Sequence, residues 1–163
     1  MKIIRFLSVF LYIYLYRQLL LFTSYCRELF TFGYVSSMIE LREVVSKKDF
    51  REFLAFPYRL YKDHPYWVPP LYLDEKNTLS KKKNPAFSHC EARYWLALEN
   101  GKTLGRIAAI RNDRYIEKWG NSYLRFGWLD LEDRNDVADA LFWAVEGWAA
   151  EQNLAAVHGP LGF

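Results

Sequence analysis

Two carboxylates, Asp130 and Glu132, lie two residues apart at the end of a predicted strand. Residues at this spacing on a strand point to the same face of the sheet, so their side chains are expected to be neighbours. Neighbouring carboxylates can raise the pKa of one of the pair, which is what a general base working near neutral pH needs. Asp130 and Glu132 are therefore the candidate catalytic residues. The alternative is an exposed, capping or turn-forming role.

Cysteine and histidine offer little further chemistry. Cys90 follows His89, and a thiol beside an imidazole can act as a nucleophile. Adjacent residues on a strand, however, point to opposite faces, so Cys90 is expected to be a half-buried thiol at the start of a strand. His158, on a later predicted strand, is expected to be a core histidine. Cys26 and Cys90 are the two cysteines of the chain, and no Cys/His cluster has metal-ligand spacing, so neither a disulfide nor a metal site is expected.

Charge is divided unevenly along the chain. The net charge is +3, from 22 basic and 19 acidic residues; four of the basic groups and one acid lie in residues 1–37, which leaves 18 of each afterwards. A neutral domain lacks the basic footprint that phosphate-backbone binding needs, which argues against a nucleic-acid partner. The run of lysines at 81–83 sits among turn signals and is interpreted as a solvated charge run.

Residues 1–37 form a hydrophobic leader with three open interpretations. The mostly apolar run from Phe6 to Tyr16 is 11 residues long before Arg17 breaks it, whereas a spanning helix needs about 20. The leader is a weak membrane anchor, an interfacial helix, or sequence upstream of a true start at Met38, where the composition changes. We expect a cytoplasmic protein, or a membrane-associated one if residues 1–37 are genuine.

The pattern after Met38 predicts a mixed α/β domain. Residues 39–45 alternate apolar with charged side chains, as a half-buried strand does. Ser46 is a helix N-cap with Asp49 three residues later, so a helix should start at Lys47. Pro57 is expected to end this helix or to open the next one. The prolines from 65 to 70 predict an ordered aromatic loop over residues 66–72.

The second half carries the clearest local signals. Asn100 and Gly101 stand between two apolar runs, which is the signature of a type I′ hairpin. Gly105 within the second strand indicates a bulge or a close backbone approach. After a polar connection, residues 123–131 are a predicted strand, residues 134–152 a helix with Asp133 as its N-cap, and residues 155–158 a short strand. Four apolar residues share one face of the helix: Val137, Leu141, Val145 and Trp148.

This order of elements resembles the first two-thirds of the GNAT acyltransferase fold. Several short motifs are similar to those of an uncharacterised bacterial family of GNAT-like (N-acetyltransferase-like) proteins, and the resemblance covers roughly residues 39–163. These motifs are Phe56-Pro57-Tyr58, His64 to Leu71, Asn84-Pro85, Gly105-Arg106-Ile107, Phe126-Gly127-Trp128 and Gly159 to Phe163. The resemblance implies an α/β (α+β) mixed sheet with flanking helices that continues past Phe163, so the chain is expected to hold a truncated domain.

The resemblance also implies a function, transfer of an acyl group from acetyl-CoA or another acyl-CoA to an amine of unknown identity. In this fold, backbone of the strand ending at Leu131 would pair with the pantetheine arm, and a glycine-rich loop before the next helix would wrap the pyrophosphate. The implied cofactor residues are Leu129, Leu131, Arg134 and Asn135. Residues 131–138 contain no glycine and three acids, so we expect an inactive fragment without the usual pyrophosphate loop. A non-catalytic scaffold protein and a membrane-tethered protein are the alternatives, and the oligomeric state stays open.

Overall fold

Residues 39–163 of the chain are described by the computed structural model. The three interpretations of the leader, residues 1–37, lie outside the described residues. Nine helices and strands follow one another within residues 39–163, with a 3-10 turn at Pro85–Ser88 between α2 and β2. They are β1 (Glu40–Glu43), α1 (Lys47–Leu60), α2 (Tyr72–Thr78), β2 (Cys90–Glu99), β3 (Lys102–Asn112), α3 (Asp113–Trp119), β4 (Tyr123–Leu131), α4 (Asn135–Glu151) and β5 (Ala156–His158).

The five strands form one mixed sheet in the order β1-β2-β3-β4-β5. The first four strands are antiparallel neighbours, and β5 pairs parallel to β4. A parallel pair needs a crossover connection, and α4 supplies it. The predicted α/β fold class with flanking helices is therefore confirmed.

The hairpin between β2 and β3 is the predicted one. Glu99 pairs with Lys102, and the two residues between them have left-handed backbones, with φ of 51° at Asn100 and 78° at Gly101. Positive φ at both central positions is what a type I′ turn requires. A register shift also falls between Ala97 and Leu98, opposite the segment that contains Gly105, so the predicted irregularity is present.

Each face of the sheet buries a separate apolar cluster, because neighbouring residues of a strand point to opposite sides. One cluster packs under α4, whose buried residues include the four predicted ones. The other packs under α1 and the turn after α2. The α4 cluster contains Trp95, Ala97, Leu104, Ile107, Leu124, Val137, Leu141, Val145 and Trp148; the α1 cluster contains Phe53, Leu54, Leu79, Tyr94, Leu96, Leu98 and Ile110.

The start of α1 agrees with the prediction from the sequence, but its end does not. The Ser46 hydroxyl accepts a hydrogen bond from the Asp49 backbone N–H at 3.0 Å, as a capping residue should. Pro57 was predicted to end this helix or open the next, and that was wrong, because α1 continues to Leu60 with Pro57 inside it. A proline in a helix leaves the carbonyl four residues earlier, here that of Phe53, without its usual donor. A hydrogen bond from the side chain of Arg106, in β3, replaces the missing donor.

Two short helices were not predicted from the local pattern. The seven residues of α2 follow the proline-rich loop, and α3 occupies part of what was expected to be a polar connection. Asn112 caps α3 through a hydrogen bond from the Tyr115 N–H at 2.9 Å, and Gly120 ends the helix with φ of 68°. Among the helices of residues 39–163, none has the length and apolarity to cross a membrane.

Candidate active site

Asp130 lies at the end of β4, where that strand meets the end of α1. The Tyr61 hydroxyl, just after α1, donates to Asp130 Oδ1 at 3.0 Å. The Arg106 Nε, from β3, donates to Asp130 Oδ2 at 2.8 Å. Both oxygens of the carboxylate are therefore engaged, and their orientation is fixed by two different elements.

Arg106 is the centre of a buried polar cluster. Its side chain is 4% exposed, and besides Asp130 it donates to Glu75 Oε1 of α2 at 3.0 Å. Its Nη1 donates to the Phe53 carbonyl at 2.8 Å, which is the carbonyl that Pro57 leaves without a helical partner. The guanidinium also lies 4.9 Å from the centre of the Phe53 ring, a cation–π contact. One side chain thus joins α1, α2, β3 and β4.

The cluster contains more acid than base. Arg106 faces Glu75 and Asp130, so one guanidinium balances two carboxylates. Glu75 is 7% exposed at its side chain, and its Oε2 has no hydrogen-bond partner among the described residues. Burial and the charge of Asp130 raise the pKa of Tyr61 to about 12, so the Tyr61 hydroxyl keeps its proton at neutral pH and serves as a donor.

A bulge distorts β4 just before Asp130. Ala108 pairs with Gly127 and Arg106 with Asp130, so two residues of β4, Trp128 and Leu129, oppose one residue of β3. Trp128 has a φ of 47°, in the left-handed region that non-glycine residues rarely adopt. Bulges and strained backbones of this kind concentrate at functional sites. The Trp128 ring lies against Phe163, with the ring centres 5.9 Å apart.

A cleft opens beside the bulge, between β4 and the segment after β5. The strands pair as far as Arg125 and His158, and the Leu161 N–H then donates to the Phe126 carbonyl at 2.7 Å. A Cβ on Gly127 would stand 2.5 Å from the Leu161 oxygen, so glycine is needed for this approach. The cleft has a volume of about 250 Å³ and is lined by Gly127, Trp128, Pro160, Leu161 and Gly162.

The two predicted catalytic carboxylates have different partners. Asp130 belongs to the buried cluster, whereas Glu132, just beyond β4, is paired with Lys102 at 2.7 Å. Of the predicted cofactor residues, Leu129 and Leu131 pack their side chains against the apolar cluster under α4. Whether these residues bind substrate or cofactor stays a prediction.

Arg134, also predicted to bind cofactor, precedes α4 and is held by acids. It forms two hydrogen bonds to Glu99, at 3.0 and 2.9 Å, and two to Asp136. These contacts raise the pKa of Arg134, and Arg134 in turn lowers the pKa of Asp136. Asp133 was predicted as the N-cap of α4, and that was wrong: Arg134 occupies the cap position and makes no side-chain cap bond. Asn135 is the first residue of the helix.

The cysteine and histidine candidates lie among residues that give them structural roles. Cys90 is buried at the first residue of β2, and burial raises the pKa of its thiol, which works against an activated nucleophile. The His89 ring contacts the Ser88 hydroxyl at 3.1 Å. His158 is half-buried between Tyr115 and Tyr123, with its ring centre 6.0 and 5.5 Å from theirs. Cys90 is thus at the expected strand start but more deeply buried than predicted, and the expectation of a core histidine is wrong for His158, which is half-buried and whose Nε2 has no hydrogen-bond partner among the described residues.

Sequence reasoning missed Tyr61, Glu75 and Arg106. Arg106 carried a signal, because it is a lone charge within the apolar run from Leu104 to Ile110, and a charge in a buried strand needs a partner. Tyr61 and Glu75 carried none, since their roles depend on how α1 and α2 pack over the sheet.

No protein-family model matches the chain. Two curated proteins are similar to it in sequence. Protein YghO of Escherichia coli (strain K12) is 37% identical over 120 residues, covering 74% of this chain and 30% of that protein. A bacterial ceramide synthase of Caulobacter vibrioides (strain NA1000 / CB15N) is 32% identical over 119 residues, covering 72% and 31%. The chain thus spans about a third of the length of these relatives.

Solved acetyltransferase structures resemble the chain in fold. A tandem GNAT protein from the clavulanic acid pathway matches with a TM-score of 0.54 and 17% identity, over 71% of this chain and 34% of that one. A predicted acetyltransferase of Clostridium acetobutylicum, solved with acetyl-CoA, matches with a TM-score of 0.53 and 18% identity, over 77% and 82%. An aminoglycoside acetyltransferase from a soil metagenome, in complex with sisomicin, gives 0.54 and 11% identity, over 77% and 78%. Residues 39–163 therefore have a GNAT-like fold.

Proposed function

We propose that residues 39–163 supply part of the active site of an acyl-CoA-dependent N-acyltransferase. The observation that carries the proposal is the cleft at the Trp128 bulge, which opens two residues before the ordered carboxylate of Asp130. The acyl thioester would lie along β4 in this cleft, and the amine would approach from the side of Tyr61. The GNAT-like fold supports this assignment by analogy.

The proposed chemistry needs a base and a fixed geometry. The amine nitrogen attacks the thioester carbonyl, a C–N bond forms, the C–S bond breaks, and the amine proton ends on the departing thiol. Asp130 is the proposed proton acceptor, because Arg106 and Tyr61 hold its two oxygens in place. Glu132 is the second candidate, since its partner Lys102 is 69% exposed and free to move away.

The proposed acceptor is an amine carried by a long-chain lipid. The relative from Caulobacter vibrioides is named as a ceramide synthase, and a ceramide is an N-acylated long-chain amine. An apolar surface adjoins the candidate site in support of this: the Tyr61 and Trp67 rings lie 5.5 Å apart. On either side of Trp67 the segment exposes four large side chains, each by at least 68%: Tyr66, Val68, Leu71 and Leu73. An exposed apolar segment of this size is typical of a binding surface.

The start of α4 is proposed not to hold a pyrophosphate. A helix N-terminus normally attracts anions, but Glu132, Asp133 and Asp136 already place carboxylates around this one. Arg134 neutralises part of this charge, but Glu99 and Asp136 already occupy its guanidinium, so it is not available to a pyrophosphate. The chain of residues 1–163 is therefore expected to be inactive with acetyl-CoA by itself.

A chimaera tests the proposal. Residues 39–163 would replace the matching 119-residue segment of the Caulobacter relative, and N-acylated product would be measured by mass spectrometry with acyl-CoA and a long-chain amine. We expect product from the chimaera, in which the remaining segments of the Caulobacter protein are proposed to hold the pyrophosphate, and a loss of at least tenfold in kcat after Asp130→Asn. A chimaera that folds, as judged by circular dichroism and thermal melting, yet forms no product would refute the proposal.

A non-catalytic binding domain is the second candidate. It is favoured by the two hydrogen bonds that already occupy both oxygens of Asp130, since neither oxygen can accept a proton without giving up a partner. In that case the chimaera would bind acyl-CoA without turnover, and Asp130→Asn would leave binding unchanged.

A further inference from the structure

A second cavity lies between the start of α1 and the turn that follows α2. Its volume is about 760 Å³, within the range of roughly 300–1,000 Å³ found for small-molecule sites. Its lining does not include Tyr61, Glu75, Arg106 or Asp130. The cavity therefore has a lining of its own, distinct from the residues of the candidate active site.

The floor of the cavity is apolar. Val44, Phe50, Leu79 and Tyr94 contribute to it. The Tyr94 hydroxyl donates to the Leu79 carbonyl at 3.0 Å, so this polar atom is already satisfied and the ring provides the surface. The Phe50 and Tyr94 rings lie 6.4 Å apart. A ligand that fills this floor must have an apolar body.

The rim of the cavity is basic. Five basic side chains and one acidic side chain, that of Glu43, line it. Within residues 39–163 the four lysines of the rim form no ion pair, whereas nearby Asp49 is bonded to Ser46 and lies 3.9 Å from Arg42. The basic side chains are Lys47, Arg51, Lys76, Lys81 and Lys82. A rim with this excess of unpaired positive charge is complementary to an anionic headgroup.

We propose that this cavity binds a single-chain amphiphile with a carboxylate headgroup, of the fatty-acid class. The headgroup lies among the lysines, and the chain lies over Phe50, Leu79 and Tyr94. A small inorganic anion would use the rim alone, and a neutral or cationic amphiphile would leave the lysines without a partner. The carboxylate matches the basic rim, and the hydrocarbon chain matches the apolar floor.

Matched ligands test the proposal on the full 163-residue chain. Isothermal titration calorimetry would compare laurate with dodecylammonium, which has the same chain length and the opposite charge, and with acetate, which has the headgroup alone. We expect saturable binding of laurate at one site, at least tenfold tighter than either of the other two. Equal binding of laurate and dodecylammonium, or of laurate and acetate, would overturn the proposal, as would no binding of laurate.

Matched variants locate the site. The double substitution Lys47→Glu and Lys81→Glu should weaken laurate binding at least tenfold, and Val45→Asp should weaken it as well. Val45 lines the cavity and is 84% exposed, so its replacement leaves the core intact. The control carries Lys62→Glu and Lys118→Glu, the same change in net charge on exposed residues outside the lining. Unchanged laurate affinity in the Lys47/Lys81 variant, or equal losses in that variant and the control, would place binding elsewhere and overturn the proposal.

Discussion

Two arginines of this domain, Arg106 and Arg134, are each held between two carboxylates, yet their surroundings differ. The Arg106 side chain is 4% exposed and also bonds to a backbone carbonyl, whereas the Arg134 side chain is 34% exposed at the domain surface. A buried charge that loses its partners bears the full cost of desolvation, while water replaces the partners of an exposed one. The guanidinium of Arg106 therefore holds several elements together, whereas that of Arg134 only changes the local surface charge.

The two arginines lie in different parts of the candidate site, Arg106 beside Asp130 and Arg134 at the start of α4. Arg106 ties α1, α2 and β4 together, so the Tyr61–Asp130 pair is rigid. Arg134 neutralises part of the negative charge at the start of α4 but stays at the surface of the domain. The proposed acceptor side is thus built into the packing of the domain, whereas the start of α4, where a pyrophosphate loop would stand by resemblance, is governed by surface charge.

Arg106→Leu should cause the largest loss of stability. The substitution leaves the buried Glu75 and the half-buried Asp130 without a cation and frees the Phe53 carbonyl, and removing one partner of a buried ion pair costs about 3–5 kcal/mol. Chemical denaturation followed by circular dichroism measures it. A loss under about 1 kcal/mol would show that the cluster is not held by this side chain, since surface ion pairs have that value.

The sequence predicted regular elements well where local patterns decide the structure. The hairpin at Asn100-Gly101, the full extent of β4 and the buried face of α4 all depend on spacing within a few residues. Pro57 shows where local rules fail. Its cost to α1 is offset by Arg106, a residue 49 positions later in the sequence that donates to the Phe53 carbonyl. No pattern within the helix contains that information.

The candidate site was predictable only in part for the same reason. Asp130 was identified from its position at a strand end, but its partners Tyr61 and Arg106 come from elements distant in sequence. The Trp128 bulge likewise depends on the register between β3 and β4. The polar side chains of the site were visible in the sequence, and their pairing was not.

Gly127→Ala should cause the next largest loss of stability, through a clash beside the cleft. The added Cβ would meet the Leu161 carbonyl oxygen at 2.5 Å, and overpacking of this kind costs about 1–3 kcal/mol. The matched control is Gly147→Ala in α4, where no atom lies within 4 Å of the added Cβ. Thermal melting should show the control to be stabilised by about 0.5–1 kcal/mol, the usual gain from glycine to alanine within a helix. Equal effects at both positions would contradict the close approach of β4 and Leu161.

Gly101→Val should be destabilising by more than about 1 kcal/mol, the scale for a residue with a Cβ forced into the left-handed region. This position is exposed and open, with no atom within 4 Å of an added Cβ, so the effect comes from the backbone and not from a clash. The melting temperature of the variant is the measurement. An unchanged value would contradict the type I′ turn.

Arg134→Ala should have the smallest effect on stability, below that of Gly101→Val, because water can solvate Glu99 and Asp136 in its place. The difference from the parent chain should shrink at high salt, where surface charges are screened. The pKa of Asp136, which Arg134 lowers, should rise towards its usual range in the variant and is measurable by NMR titration. A loss as large as that of Arg106→Leu would erase the contrast between the two arginines.

Calorimetric titration of acetyl-CoA into the full chain tests most directly whether the acids at the start of α4 exclude the pyrophosphate. We expect no saturable binding to the parent chain, because Glu132 and Asp133 come just before the helix, Asp136 lies in its first turn, and Arg134 is already paired. The variant with Asp133→Asn and Asp136→Asn should bind acetyl-CoA more tightly than the parent, since it loses two of these negative charges. Micromolar binding to the parent chain with a defined stoichiometry, or equally absent binding in both proteins, would contradict the account.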